Sequence, residues 1–202
     1  MTLSSKLPRE FYTRRSTLQI ARELLGKLLV VTGKDGHRVS GMIVETEAYK
    51  GPPDKASHAF GNRRTARTDT MYGIGGSAYV YFIYGMYCQF NVVTNAAEVP
   101  HAILVRALEP IEGLEVMRHR RPVKVDRDLS NGPGKLCIAM NIDRRFDRAD
   151  LIGDEIWIEE FSEIRPRQIA SGPRVGIGYA EDYVKKPWRF WIDDNPYVSR
   201  QR

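Results

Sequence analysis

Glu45, Glu47 and Tyr49 occupy every second position of "IVETEAYKG", residues 43–51, a spacing that places two carboxylates and a phenol on one side of a strand. Such groups can do proton-transfer chemistry, with a carboxylate drawing a proton from an attacking water molecule. Arg106 in "ILVRALEP" is the matching cation, because a guanidinium within an apolar run needs a partner if it is buried. Residue types alone leave two readings of a Glu47–Arg106 pair open. It is a structural ion bridge, or it holds a water molecule between its two charges. His37, His58, His101 and His119 show no metal-ligand spacing among themselves or with Cys88 and Cys137, so neither zinc nor another cofactor is expected. The glycines of "GIGGSAYVY" precede a strand rather than a helix, which argues against a dinucleotide loop. "NGPGK" opens a helix and is either a phosphate cradle or a plain cap.

The strand that presents the acids has Met42, Val44, Thr46 and Ala48 as its other face, an ordinary core stripe, with Ile43 on the acidic side. Before it, Ser16 caps a short helix that buries Leu18, Ala21, Leu24 and Leu25 and stops at Gly26. "KLLVVTG" is a strand, turned by Lys34-Asp35-Gly36 into the acidic one. A polar loop follows over residues 50–77. Strands over roughly 77–83 and 86–94 form a hairpin with Tyr84-Gly85 at its tip, where Tyr84 must project. "HAILVRALEP" is a strand, Pro110 opens a helix carrying Ile111, Leu114 and Met117, and Pro133 opens another with Leu136, Ala139 and Met140 inside. "EIWIEE", "RVGIGYA" and "WRFWI" read as strands. The expected fold is α+β: one mixed domain over residues 1–202, with a curved, largely antiparallel sheet, short peripheral helices and a protruding hairpin.

At 202 residues, with 42% hydrophobic and 28% charged residues, the chain suits one globular domain. No apolar run approaches a membrane span, the N-terminus lacks a secretory pattern, and two cysteines fit a reduced cytoplasmic protein. The net charge of +6 comes in bursts, such as Arg63-Arg64 with Arg67, residues 118–121, and Lys185-Lys186 with Arg189. Basic surface of this kind suits a polyphosphate partner.

"GMIVETEAYKGPPDKASHA", "AYVYFIYGMYCQFNVVT", "ILVRALEPIEGLEVMR", "LSNGPGKLCIAMNI" and "RVGIGYA" occur in this order, and together closely resemble the mammalian-type alkyladenine (3-methyladenine) DNA glycosylases, from about Phe11 to Ser199. A start without a long N-terminal extension is more similar to bacterial members. The resemblance implies a monomer acting on double-stranded DNA that contains damaged purines, by simple hydrolysis to an abasic site. It implies Glu47 as the general base, with Arg106 and a backbone carbonyl at Val175 positioning the water. Tyr49, His58 and Tyr81 would sandwich the flipped base, Tyr84 would fill the gap in the duplex, and Asn91 would crowd the amino group of normal guanine. Cys88-Gln89 falls where relatives vary. An aromatic pocket would also favour cationic alkylpurines through cation–π attraction. The rival readings are a catalytically inactive nucleic-acid-binding module on the same fold and a hydrolase of free nucleosides.

Overall fold

Residues 5–33, 36–83 and 85–199 are described in a computed structural model. Two short helices, α1 (Arg9–Thr13) and α2 (Thr17–Glu23), lead into the sheet. The Ser16 hydroxyl accepts a hydrogen bond from the Gln19 amide at 3.3 Å and starts α2, while Ile20, Ala21, Leu24 and Leu25 enter the core. Leu18 is only partly buried against it. Gly26 follows in the left-handed region (φ +83°), where a side chain would collide with the Ser162 carbonyl and Ile164.

The strands are β1 (Leu28–Thr32), β2 (Arg38–Lys50), β3 (Ala78–Ile83), β4 (Tyr87–Thr94) and β5 (His101–Glu112). Helices α3 (Leu114–Arg120) and α4 (Pro133–Met140) come next, then β6 (Ile156–Glu159), β7 (Ile169–Gly172) and β8 (Arg189–Ile192). The described residues form one eight-stranded, wholly antiparallel sheet with the path β3-β4-β5-β2-β1-β6. Strand β8 pairs with β7 and with the second half of β2, through Glu45↔Trp191 and Glu47↔Arg189. The α+β architecture is therefore as expected. At 13 residues, β2 is the axis of the sheet, with β5 along one edge and β1 then β8 along the other. Helix α4 packs on β4 and β5, burying Leu136, Cys137, Ala139 and Met140.

Three sequence expectations change. Pro110 belongs to β5, opposite Gly41, rather than to a helix, and Ile111 is exposed. Strand β4 covers β5 only from His101 to Leu104, so Pro110 lies beyond that ladder, where its missing N–H is tolerated. "RVGIGYA" is a loop, with Gly176 in the left-handed region (φ +74°); Ile177 and Ala180 pack on Ala56 instead of joining the sheet. Finally, Ile43 is fully buried in the same core as Val44 and does not share the face of Glu45. The cause is a pair of offset bulges. Ile43 pairs with Leu108 and Glu45 with Ala107, leaving Val44 as an extra residue in β2. Thr46 then pairs with Val105, leaving Arg106 as an extra residue in β5. The first bulge shifts the alternation of β2, and the second re-aims Arg106. Lys34 and Asp35 of the expected turn lie outside the described residues, although β1 and β2 pair as the hairpin requires.

Candidate active site

Tyr49, His58, Tyr79, Tyr81, Asn91, Arg106 and Val175 line one cavity of about 330 Å³. Its wall is built from several elements: Tyr49 near the end of β2, Tyr79 and Tyr81 on one face of β3, Asn91 from β4, Arg106 from its bulge in β5, and His58 and Val175 from loops.

Glu47 is fully buried and is not itself among the described residues that line this cavity, but Tyr49, Val175 and Arg106, which are, bind both of its oxygens. The Tyr49 hydroxyl donates to Oε2 at 2.8 Å. The Val175 amide donates to Oε1 at 2.7 Å, and Arg106 Nη1 lies 3.3 Å from the same oxygen. The contact seen at Val175 is thus made by its N–H. Burial and the neighbouring Glu47 push the Tyr49 phenol well above its ordinary range, so it stays protonated and remains a donor. Burial alone would lower the Arg106 pKa, but Glu47 and Glu45 outweigh it and keep the guanidinium charged.

Glu45 anchors this arrangement from below. Its Oε1 accepts from Arg106 Nε at 2.8 Å, Arg189 Nε at 2.6 Å and the Ser199 hydroxyl at 2.9 Å, and its Oε2 accepts from the Ser199 amide at 2.7 Å. Arg106 consequently bridges both acids of "ETEAY". Arg189, which the sequence groups with a surface burst, is buried in this network.

A second buried pair ties the loops together. Arg174 donates to both oxygens of Asp54, at 2.6 and 2.8 Å, and to the Ala48 carbonyl at 2.9 Å. Asp54 also accepts from the Lys50 and Ala56 amides, which shapes the loop leading to His58. Sequence reading missed Arg174, Arg189, Asp54 and Ser199. The available signal was the one that flagged Arg106: an arginine inside an apolar run, as in "WRFWI".

Elsewhere in the cavity wall, His58 Nδ1 lies 2.9 Å from the Tyr79 hydroxyl, and its ring meets Tyr81 edge-on at 4.7 Å between centres. Burial, helped by Arg67 and Arg63, lowers the His58 pKa to about 4, so the ring is neutral at pH 7. Burial also raises the Tyr79 phenol to about 12. The Tyr81 hydroxyl donates to Gln89 Oε1, and Asn91 Nδ2 to the Tyr79 carbonyl at 3.1 Å. Arg174 lies over the Tyr49 ring at 4.6 Å and Arg67 over the Tyr81 ring at 4.8 Å. A larger groove of about 1090 Å³ adjoins the cavity, shares Arg106 and Gln89 with it, and carries Arg121, Lys124 and Lys135. Tyr84 lies outside the described residues; beside it, Phe82, Met86 and Tyr87 are exposed apolar groups of the hairpin. Among the described residues, no His, Cys, Asp and Glu side chains assemble into a metal-holding group.

An aromatic cavity, a buried carboxylate held by its lining and a neighbouring groove with Arg121, Lys124 and Lys135 are the features of an enzyme that handles nucleic acid. The sequence profile of the methylpurine-DNA glycosylase (MPG) family matches residues 10–196, and the chain belongs to that family. It is 50% identical to a protein of Clostridium acetobutylicum over 96% of this chain and 97% of that protein. It is 47% identical to proteins of Bacillus cytotoxicus and Alkaliphilus oremlandii, over 96% and 97% of this chain and 100% of each relative. The names of these relatives assign them provisionally as 3-methyladenine DNA glycosylases. The chain is accordingly a bacterial-type DNA glycosylase, a DNA-repair hydrolase of alkylated bases.

Proposed function

We propose that the protein swings a damaged purine out of duplex DNA into the tyrosine-lined cavity and hydrolyses its N-glycosidic bond, leaving an abasic site. The observation that carries this reading is the buried Glu47 carboxylate, bound by Tyr49, Arg106 and the Val175 amide, all of which line the cavity. In the reaction the bond from C1′ to the purine nitrogen breaks, and its electron pair leaves with the base. Water oxygen bonds to C1′, and the water proton passes to Glu47. The same anion stabilises positive charge developing on the sugar. A purine made cationic by alkylation leaves as a neutral base, whereas a neutral lesion takes a proton from solvent. Because the Tyr49 hydroxyl occupies Oε2, the attacking water takes over or shares that contact. The described residues lining the cavity include no lysine, which supports hydrolysis over a Schiff-base route.

Tyr49, His58 and Tyr81 hold the extruded base, and Asn91, fixed by the Tyr79 carbonyl, crowds the amino group of guanine. Tyr84 is the wedge that fills the vacated stack, a role that fits the apolar, exposed hairpin around it. Extrusion costs a few kcal/mol and is cheapest at weakly paired lesions. The substrate class is therefore 3-methyladenine, 7-methylguanine, hypoxanthine and ethenoadenine in duplex DNA, and the names of the relatives support the first of these. On this reading the protein acts as a monomer, and its free Cys88 and Cys137 fit the cytoplasm. Incubation with a duplex carrying one hypoxanthine or ethenoadenine, then alkali, should cut the strand at the lesion. Binding without cutting for every lesion of the class would instead favour an inactive DNA-binding module.

A further inference from the structure

We propose that Arg67, together with Arg174, tunes the base cavity toward electrically neutral purines. This inference rests on the glycosylase reading and concerns the substrate preference of the same site. Arg67 Cζ lies 4.8 Å from the centre of the Tyr81 ring, and its Nη2 lies 3.5 Å from His58 Nε2. Arg174 Cζ lies 4.6 Å from the centre of the Tyr49 ring. Neither arginine is among the described residues that line the cavity; Arg67 lines an adjoining pocket that shares Ala56, His58 and Tyr179 with it, and each arginine acts through the ring it covers.

An aromatic face attracts a cation through its negative quadrupole. A ring already engaged by a guanidinium has less attraction to offer a second positive charge, and the guanidinium itself repels one. The aromatic walls of this cavity are therefore poor cation traps, although tyrosines by themselves would be good ones. The two arginines differ in how far their charge is compensated. Arg174 is neutralised by its bidentate pair with Asp54. Arg67 is exposed and has no ion pair among the described residues, so solvent screens its charge but no local counter-charge cancels it at the short range of Tyr81 and His58. Arg67 and Arg63 also help burial to hold His58 neutral, which leaves an uncharged ring beside the base. Cationic alkylpurines are then released for their leaving-group reactivity, while neutral lesions compete for binding on nearly equal terms.

The test uses equilibrium binding in a Glu47→Gln background, with one duplex carrying cationic 7-methylguanine and another carrying neutral hypoxanthine. Arg67→Gln should raise the affinity for 7-methylguanine relative to hypoxanthine by about threefold to tenfold. Arg67→Lys, which keeps the charge, should leave the ratio near that of the parent. An equal loss for both duplexes would mean that Arg67 merely contacts phosphate, and would overturn the inference. A protein that binds neither duplex above an undamaged control would overturn the glycosylase reading as well.

Discussion

Arg106 Nε donates to Glu45 Oε1 at 2.8 Å, and this bond fixes where the rest of the guanidinium points. Arg106 is the extra residue of a bulge, so its direction is not set by the ordinary pleat of β5. Glu45 sets it instead, leaving Nη1 3.3 Å from Glu47. The first acid of "ETEAY" is thus a positioning residue for the second.

Glu45→Gln replaces an acceptor of several hydrogen bonds with an amide that presents donors to two arginines. Arg106 should turn toward Glu47 and occupy the carboxylate that water needs. We predict a fall of about tenfold to a hundredfold in single-turnover base release, with lesion-duplex affinity within about threefold of the parent, on the scale of a lost charge-assisted hydrogen bond. Glu45→Asp should recover part of the rate. An equal loss of binding and rate, unrelieved by Asp, would reduce Glu45 to a folding role.

The phenol of Tyr49 and its ring make separable contributions. Tyr49→Phe removes the donor to Glu47 but keeps the stacking surface, and release should fall by about fivefold to tenfold, since one such hydrogen bond contributes about 1–1.5 kcal/mol net. Tyr49→Ala should fall well below that. If Phe were as slow as Ala, the hydroxyl would have a direct part in the chemistry.

Asp54 and Arg174 form a fully buried ion pair that joins the His58 loop to the Val175 loop. Asp54→Asn leaves the guanidinium uncompensated, and we expect a loss of about 3–5 kcal/mol. Thermal denaturation should show this as a Tm lower by about 6–20 °C. A Tm within about 2 °C of the parent would show that the pair contributes little.

Acid should weaken the fold through its histidines. Burial first, with nearby cations, lowers His58 and His101 from 6.5 to about 4. The unfolded chain therefore takes up protons below pH 6.5 that the folded chain refuses until about pH 4. Their contribution to stability is complete above pH 6.5, declines as pH falls through this window, and is gone below about 4. Melting curves across that range should slope less for His58→Gln. An unchanged slope would mean that His58 titrates normally in the folded protein.

Much of this was legible in the chain. The period-2 runs at β1 to β5, the capped start of α2 and the proline-led start of α4 follow from local rules, and the strand carrying Glu47 and Tyr49 was recognisable from its alternation. The bulges at Val44 and Arg106 were not, because register is settled between strands far apart in sequence and either strand alone looks regular. "RVGIGYA" has strand-like alternation, yet Gly176 gives it a left-handed turn that places the Val175 amide on Glu47. Arg189 was hidden in a basic burst, which looks the same whether its members are solvated or buried, and Arg174 stands alone in "SGPRVGIGYA", where nothing local marks its pairing with the distant Asp54.

The central claim is that Glu47 turns water into the nucleophile. Single-turnover release of hypoxanthine from duplex DNA by Glu47→Gln, with binding to the same duplex measured in parallel, tests it most directly. The release rate should be lower by at least about a hundredfold with duplex affinity retained, as expected when a general base is removed and the site is left intact. A Glu47→Gln protein that releases the base at close to the parent rate would contradict it.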